Sequence, residues 1–219
     1  VMDIAREKAE KLEASVREHL TPQSIRWSLE SMAVPVGLLT ETVAQRARFC
    51  DLVVQPKPYT EGNIPEAEAV IEAALFDAKV PVLVLPDGPI VEIPGKRIVV
   101  AWNQSNEAMA AVRAAIPLLK AAELVTIMIV DPVKFGSERS DPGGALSQML
   151  ARHGVKAEVD VLAKTLPRFC DMLNRHARDR SADMVVMGAY GHSRLRESIL
   201  GGATRGMLEQ AEVPVFMAH

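Results

Sequence analysis

Two strand-like segments of this chain occur twice, in the same order and at almost the same distance. Residues 50–55 read CDLVVQ and residues 182–187 read ADMVVM. Residues 79–86 read KVPVLVLP and residues 212–219 read EVPVFMAH. The offsets are 132 and 133 residues. Self-similarity at a fixed spacing marks a repeated structural unit. In each copy a helix-like stretch, 65–77 or 202–211, joins the two apolar runs. Strand, helix and strand in that order predict parallel βαβ pairing, so the chain reads as a tandem of two similar α/β units.

The second unit is the fuller one. Ile98–Trp102 and Leu124–Val130 read as buried strands, and Val155–Leu162 as a third. Asp183–Met187 and Val213–Met217 complete a set of five. Between them, Asn106–Leu119 places Ala108, Val112, Ala115, Ile116 and Leu119 on one helical face, with Ser105 as its N-cap. Ala145–His153 is a second helix that Gly154 ends. Pro167–Arg178 is a third, with Phe169, Met172, Leu173 and His176 inward. Alternating strands and helices predict an open, doubly wound parallel sheet of Rossmann type.

The first unit starts late. Val1–Leu20 reads as an amphipathic helix with Val1, Ala5, Ala9, Leu12, Val16 and Leu20 on one stripe. Ile25–Leu29 reads as a strand, Val43–Arg48 as a short helix and Asp51–Val54 as a strand. Nothing corresponds to the opening strand–helix–strand of residues 98–130. Either some 40–60 residues precede Val1, by the size of that piece, or this unit is short. Val1 is not an initiator methionine and a lone helix is an odd start, which favours the former. Pro86–Pro89 and Pro94-Gly95 mark a linker, giving units at 1–88 and 96–219.

Composition limits the function classes. The 219 residues are 48% apolar and 24% charged, as in a globular protein with a real core. A net charge of −3 and 4% aromatics argue against a nucleic-acid surface. No apolar run reaches the ~18 residues of a membrane span, and the charged start is not a signal peptide. Cys50 and Cys170 lack metal-ligand spacing and read as reduced thiols, which predicts a cytoplasmic protein.

The segment 188–204 carries the chemistry. Gly188, Gly191 and Gly201 form a G-x2-G-x9-G pattern that follows a strand and precedes a helix. Ligands of open α/β sheets lie beyond the carboxyl ends of strands. Glycines let backbone N–H groups approach a phosphate, and the helix start near Gly202–Thr204 adds donors. Arg194 and Arg196 add positive charge. The pattern is neither a Walker A sequence nor G-x-G-x-x-G.

DMVVMGAYGHS, the glycine spacing and the closing VPVFM strand together resemble the universal stress protein family in its tandem form. RIVVAWNQS resembles that family's opening strand. The resemblance covers 97–219 well and 1–86 in part. It implies a fold related to adenine-nucleotide hydrolases and binding of ATP, with or without Mg2+. By that resemblance, Ala101 and Asn103 face the adenine and Val130 presents backbone groups to it. Met187 sits beside the adenosine, while Gly188, Gly191 and Gly201 wrap ribose and phosphates. His192 lies in the same loop, and Gly202, Ala203 and Thr204 meet the phosphates. Two positions depart from the family pattern: Asn103 stands where Asp is common, and Gly202 where Ser or Thr follows the last glycine.

The first unit lacks this site. Pro56 stands opposite Gly188 and cannot donate an N–H. Glu61 and Glu66 would repel a triphosphate, and Glu68 stands opposite Gly201. The resemblance also implies that closing strands pair. Pro81–Leu85 and Pro214–Met217 would then join the units as an internal pseudo-dimer, with a homodimer as a further arrangement.

His192 and Ser193 have no partner at a telling spacing, so loop polarity explains them better than catalysis. Asp131 and Asp141 read as magnesium ligands, with a plain strand-end turn the equal reading for Asp131 before Pro132. Met128, Met149, Met172 and Met187 read as core, and Trp102 as half-buried packing beside the pocket. Arg175, Arg178 and Arg180 suit a helix C-terminus. The expected function is an ATP-binding stress-response switch, at most a slow ATPase. The alternative is an interaction or scaffold module that uses the same fold without nucleotide.

Overall fold

The computed structural model describes residues 2–59, 66–88, 94–132, 141–189 and 202–219. It opens with α1 (Met2–Leu20), a 3-10 turn at Val36–Leu38 and α2 (Leu39–Ala47). β1 (Val53–Pro56), α3 (Ala67–Glu72) with a π-helical turn at Ala73–Ala78, and β2 (Val82–Leu85) follow. The C-terminal half runs β3 (Arg97–Ala101), α4 (Asn106–Ala121), β4 (Leu124–Val130), α5 (Gly144–Arg152) and β5 (Ala157–Leu162). It closes with α6 (Phe169–Asp179), β6 (Met184–Gly188), α7 (Ala203–Gln210) and β7 (Val215–Ala218).

The strands form one seven-stranded sheet in the order β1-β2-β7-β6-β3-β4-β5. Every pairing is parallel except β2 with β7. Parallel strands need buried crossovers, and alternation along each strand supplies two apolar faces. Val99, Ala101, Val185 and Met187 pack on one face with residues of α6 and α7. Ile98, Val100, Trp102 and Val186 pack on the other with α4 and α5. The first of these cores also takes in Ile71, Leu75, Val82 and Val84 from the N-terminal half.

The repeated strands pair in equivalent registers. Val53 faces Val82 in one half and Val185 faces Val215 in the other. These residues are 132 and 133 positions apart. In the antiparallel joint, Leu83 faces Phe216, the residue 133 positions on, with Val82–Met217 and Val84–Val215 on either side.

Two N-terminal expectations change. Residues 25–29 form no strand. A strand needs a paired neighbour, and Ile25 is 60% exposed, outside the sheet. On α1, Leu12 is 66% exposed and Ala9, Val16 and Leu20 only half-buried. Surface pairs such as Lys11–Glu7 at 2.7 Å and Arg17–Glu13 at 2.9 Å line that helix instead. The side chains of Val1 and Ala5 lie outside the described residues. On α4, Ala111 is fully buried while Ile116 is only partly so, a small rotation of the expected face.

Candidate functional site at the β3–β6 switch point

β3 and β6 are adjacent and parallel, but their chain connections run in opposite directions across the sheet. β3 leads through α4 to β4 on one side, and β6 leads through α7 to β7 on the other. This is the topological switch point at which open α/β sheets form a crevice.

The sequence builds each wall locally. Trp102 extends β3 by donating its N–H to the Met128 carbonyl at 2.9 Å. Asn103 Oδ1 accepts from the Ser105 N–H at 3.1 Å, an Asx-type turn that a carboxylate would make equally well. Gln104 takes φ +65, and Ser105 Oγ caps α4 by accepting from the Ala108 N–H at 3.1 Å. Ala101 is buried, Asn103 exposed, and Val130 half-buried at the end of β4. The Trp102 indole N–H is buried without a hydrogen-bond partner among the described residues.

Gly188 stands where α4 begins. A Cβ there would lie 2.4 Å from the Ala108 nitrogen and 2.6 Å from the Glu107 carbonyl carbon. Close helix–strand approach therefore requires this glycine, a steric role that stands beside the ligand-facing one expected from its spacing. Met187 beside it is buried. Ala189 leaves β6 with its N–H donated to the Ala218 carbonyl at 2.9 Å and its carbonyl accepting from His219 Nδ1 at 3.0 Å.

Gly202 caps α7 with no side-chain hydrogen bond. The first turn of a helix leaves backbone N–H groups without intrahelical partners, and a glycine cap satisfies none of them. Ala203 is half-buried; Thr204 is buried and already engaged within the protein. Arg205 adds positive charge, held by Glu209 at 2.8 Å. Gly206 allows α6 and α7 to touch, since a Cβ there would lie 2.6 Å from Cys170 Sγ. Burial pushes the Cys170 thiol up, so it is not poised as a nucleophile.

Ala101, Asn103, Val130, Met187, Gly188, Gly202, Ala203 and Thr204 thus lie at the carboxyl ends of β3, β4 and β6 and the start of α7. Gly191, His192 and Gly201 lie outside the described residues, as do Ser193, Arg194 and Arg196. Sequence reasoning missed Glu107, whose backbone and Cβ press on Gly188, and His219. The signal for Glu107 was its place in the first turn after a strong cap; His219 carried none.

Asp131 is a turn residue in fact: φ is +44 and Oδ1 accepts from the Lys164 N–H at 3.1 Å. The Asp141 carboxylate lies against Gly144 at the start of α5. The described residues hold no group of three or more His, Cys, Asp or Glu that could bind a metal. At the matching end of β1, Pro56 is followed by a buried Lys57 that pairs with Asp87 at 2.9 Å. Elsewhere, a cavity of about 270 Å3 opens between the end of β5 and α6, lined by Leu162, Met172, Arg175 and His176.

This arrangement defines an open, mostly parallel α/β architecture of Rossmann type. A sequence model of the universal stress protein family matches residues 95–219, more than half of the chain, and the chain belongs to that family. Universal stress protein Slr1230 of Synechocystis sp. is 28% identical over 103 residues, which is 45% of this chain and 35% of that protein. The match thus spans about a third of that relative's length. A universal stress protein from Archaeoglobus fulgidus superposes with TM-score 0.75 over 99% of this chain and 77% of its own, at 20% identity. At that identity the likeness is one of fold. Among the described residues no helix is long and apolar enough to cross a membrane.

Proposed function

We propose that this chain binds an adenine nucleotide at the β3–β6 switch point and works as a nucleotide-dependent switch. One observation carries the reading: α7 starts at the crevice with a glycine cap that brings no side chain between the helix N-terminus and an anion. The adenine would lie over the exits of β3 and β4, near Ala101, Asn103 and Val130. The phosphates would lie at Gly202–Thr204, with Gly188, Gly191, His192 and Gly201 along the connecting segment. ATP is the expected ligand, and any Mg2+ would be held chiefly by the phosphates. Binding one conformation more tightly then shifts the population.

The proposal includes two units, 1–88 and 96–219, joined as a pseudo-dimer and housed in the cytoplasm. The registers support the two units. Leu83 and Phe216, equivalent by the repeat, face each other, as self-complementary pairing requires. The first unit would carry no nucleotide, since Pro56 and the Lys57–Asp87 pair occupy the matching strand end.

Calorimetric titration with ATP, with and without Mg2+, tests this. Saturation near one site per chain is expected, and Gly191→Val should abolish it. No heat from nucleotide-free protein would overturn the reading. Glu107, in the first turn of α4 beside Gly188, favours the alternative of an interaction module, because a negative charge at this end of the sheet would oppose a polyphosphate. That alternative predicts no saturation at any ATP concentration.

A further inference from the structure

We propose that the N-terminal half positions this site, holding the exit of β6 and the first turn of α7 through two separate aromatic contacts, Phe76 on His219 and Tyr59 on Arg205. The inference rests on the nucleotide reading above and assigns the half without a site a role in the half with one.

At the exit of β6, Ala189 is tied by both backbone groups. Its N–H goes to Ala218 at 2.9 Å, and its carbonyl accepts from His219 Nδ1 at 3.0 Å. A carbonyl only accepts, so Nδ1 is the donor of this bond. The same ring meets the N-terminal half: Phe76 packs against it in a T-shaped arrangement, with centroids 4.6 Å apart and planes at 67°. Phe76 belongs to the π-helical turn Ala73–Ala78.

At the start of α7, the Arg205 guanidinium lies over the Tyr59 ring, 5.5 Å from its centroid. Tyr59 follows β1, and its phenol lies beside Glu68 on α3. Burial, with Glu68 next in weight, pushes that hydroxyl well above the usual phenol range, so the ring stays neutral under the cation. Glu209 completes the clamp on Arg205 at 2.8 Å. The two contacts use different N-terminal elements and reach the two described elements that flank the proposed phosphate position. Displacing either element by ~1 Å would misplace the N–H groups on which binding depends.

The test uses the full chain with two Ala variants and two conservative partners. Tyr59→Phe and Phe76→Tyr each keep the ring that makes the contact. Amide hydrogen exchange on nucleotide-free protein follows 184–189 and 203–210, and ATP titration follows affinity. Tyr59→Ala should speed exchange in 203–210, and Phe76→Ala in 184–189. Each should weaken ATP about three- to tenfold, the scale of one such contact. The conservative variants should stay near wild type. Ala variants that match wild type in exchange and affinity would overturn the proposal. So would conservative variants as impaired as the Ala ones, because each keeps the ring on which its contact depends. If wild type itself binds no ATP, the nucleotide reading falls, and exchange alone decides: unchanged rates overturn the brace, and faster rates at the two named segments uphold it.

Discussion

Gly188 shows how one atom sets this architecture. Its missing Cβ lets the start of α4 rest on β6, with backbone atoms 2.4–2.6 Å from where that carbon would stand. Backbone cannot swing aside as a side chain can. Gly188→Ala should therefore destabilise by about 1–3 kcal/mol, the usual cost of overpacking, read as a lower urea midpoint. His176 is a second sensitive residue. It is buried on α6, with Nε2 3.0 Å from Asp160 Oδ2, while Arg180 also bonds Asp160 and lies 3.6 Å from Glu158. Burial holds the imidazole below its ordinary value near 6.5, against the pull of Asp160. The unfolded chain then takes up the proton first as pH falls below about 6.5. Stability is full above that value and declines down to the lowered folded value. The melting temperature of wild type should drop between pH 7 and pH 5 by more than that of His176→Gln.

Among the elements, α4 is the best specified locally. Ser105 accepts from the Ala108 N–H, Glu107 sits in the first turn and Lys120 in the last, matching the helix dipole. Pro117 falls inside the helix, yet α4 runs on to Ala121. Ser105→Ala should cost about 1 kcal/mol, visible as a melting point lowered by a few degrees. Because the same turn carries Asn103, whose side chain accepts from the Ser105 N–H, ATP affinity should weaken too if Asn103 faces the adenine. The segment 25–29 makes the opposite point. Its β-like composition found no neighbour, and propensity without a ladder gives no strand.

For the whole molecule, one sheet and one shared core join the two halves. Ile71 and Leu75 pack in the same cluster as Leu173, Met207 and Leu208. Both halves should therefore unfold together, with circular dichroism and the fluorescence of Trp102 and Trp27 following one transition. Ile71→Ala, from a fully buried position, should lower stability by about 2–5 kcal/mol. The buried Trp102 of the other half should report that loss in full. A Trp102 signal that kept its wild-type midpoint would mean that the halves unfold separately. β1 and β5 are the two edges of the sheet, and Val54 on β1 is 55% exposed.

The sequence by itself determined the strands and helices of the C-terminal half. Strong alternation, a serine cap and a terminating glycine are local signals, and Ser105 and Gly154 at φ +80 act where the sequence puts them. It also shows two pairs of similar apolar runs 132 and 133 residues apart, and these form strands that pair in matching registers. The tertiary structure alone discloses the packing role of Gly188, since only the approach of α4 reveals the space a Cβ would fill. It alone brought Phe76 to His219 and Tyr59 to Arg205, pairs separated by more than a hundred residues and linked by no pattern. The reason is physical. Hydrophobic period and caps act within a few residues and survive in one dimension, whereas contacts between distant elements exist only once a shared core has fixed their distance.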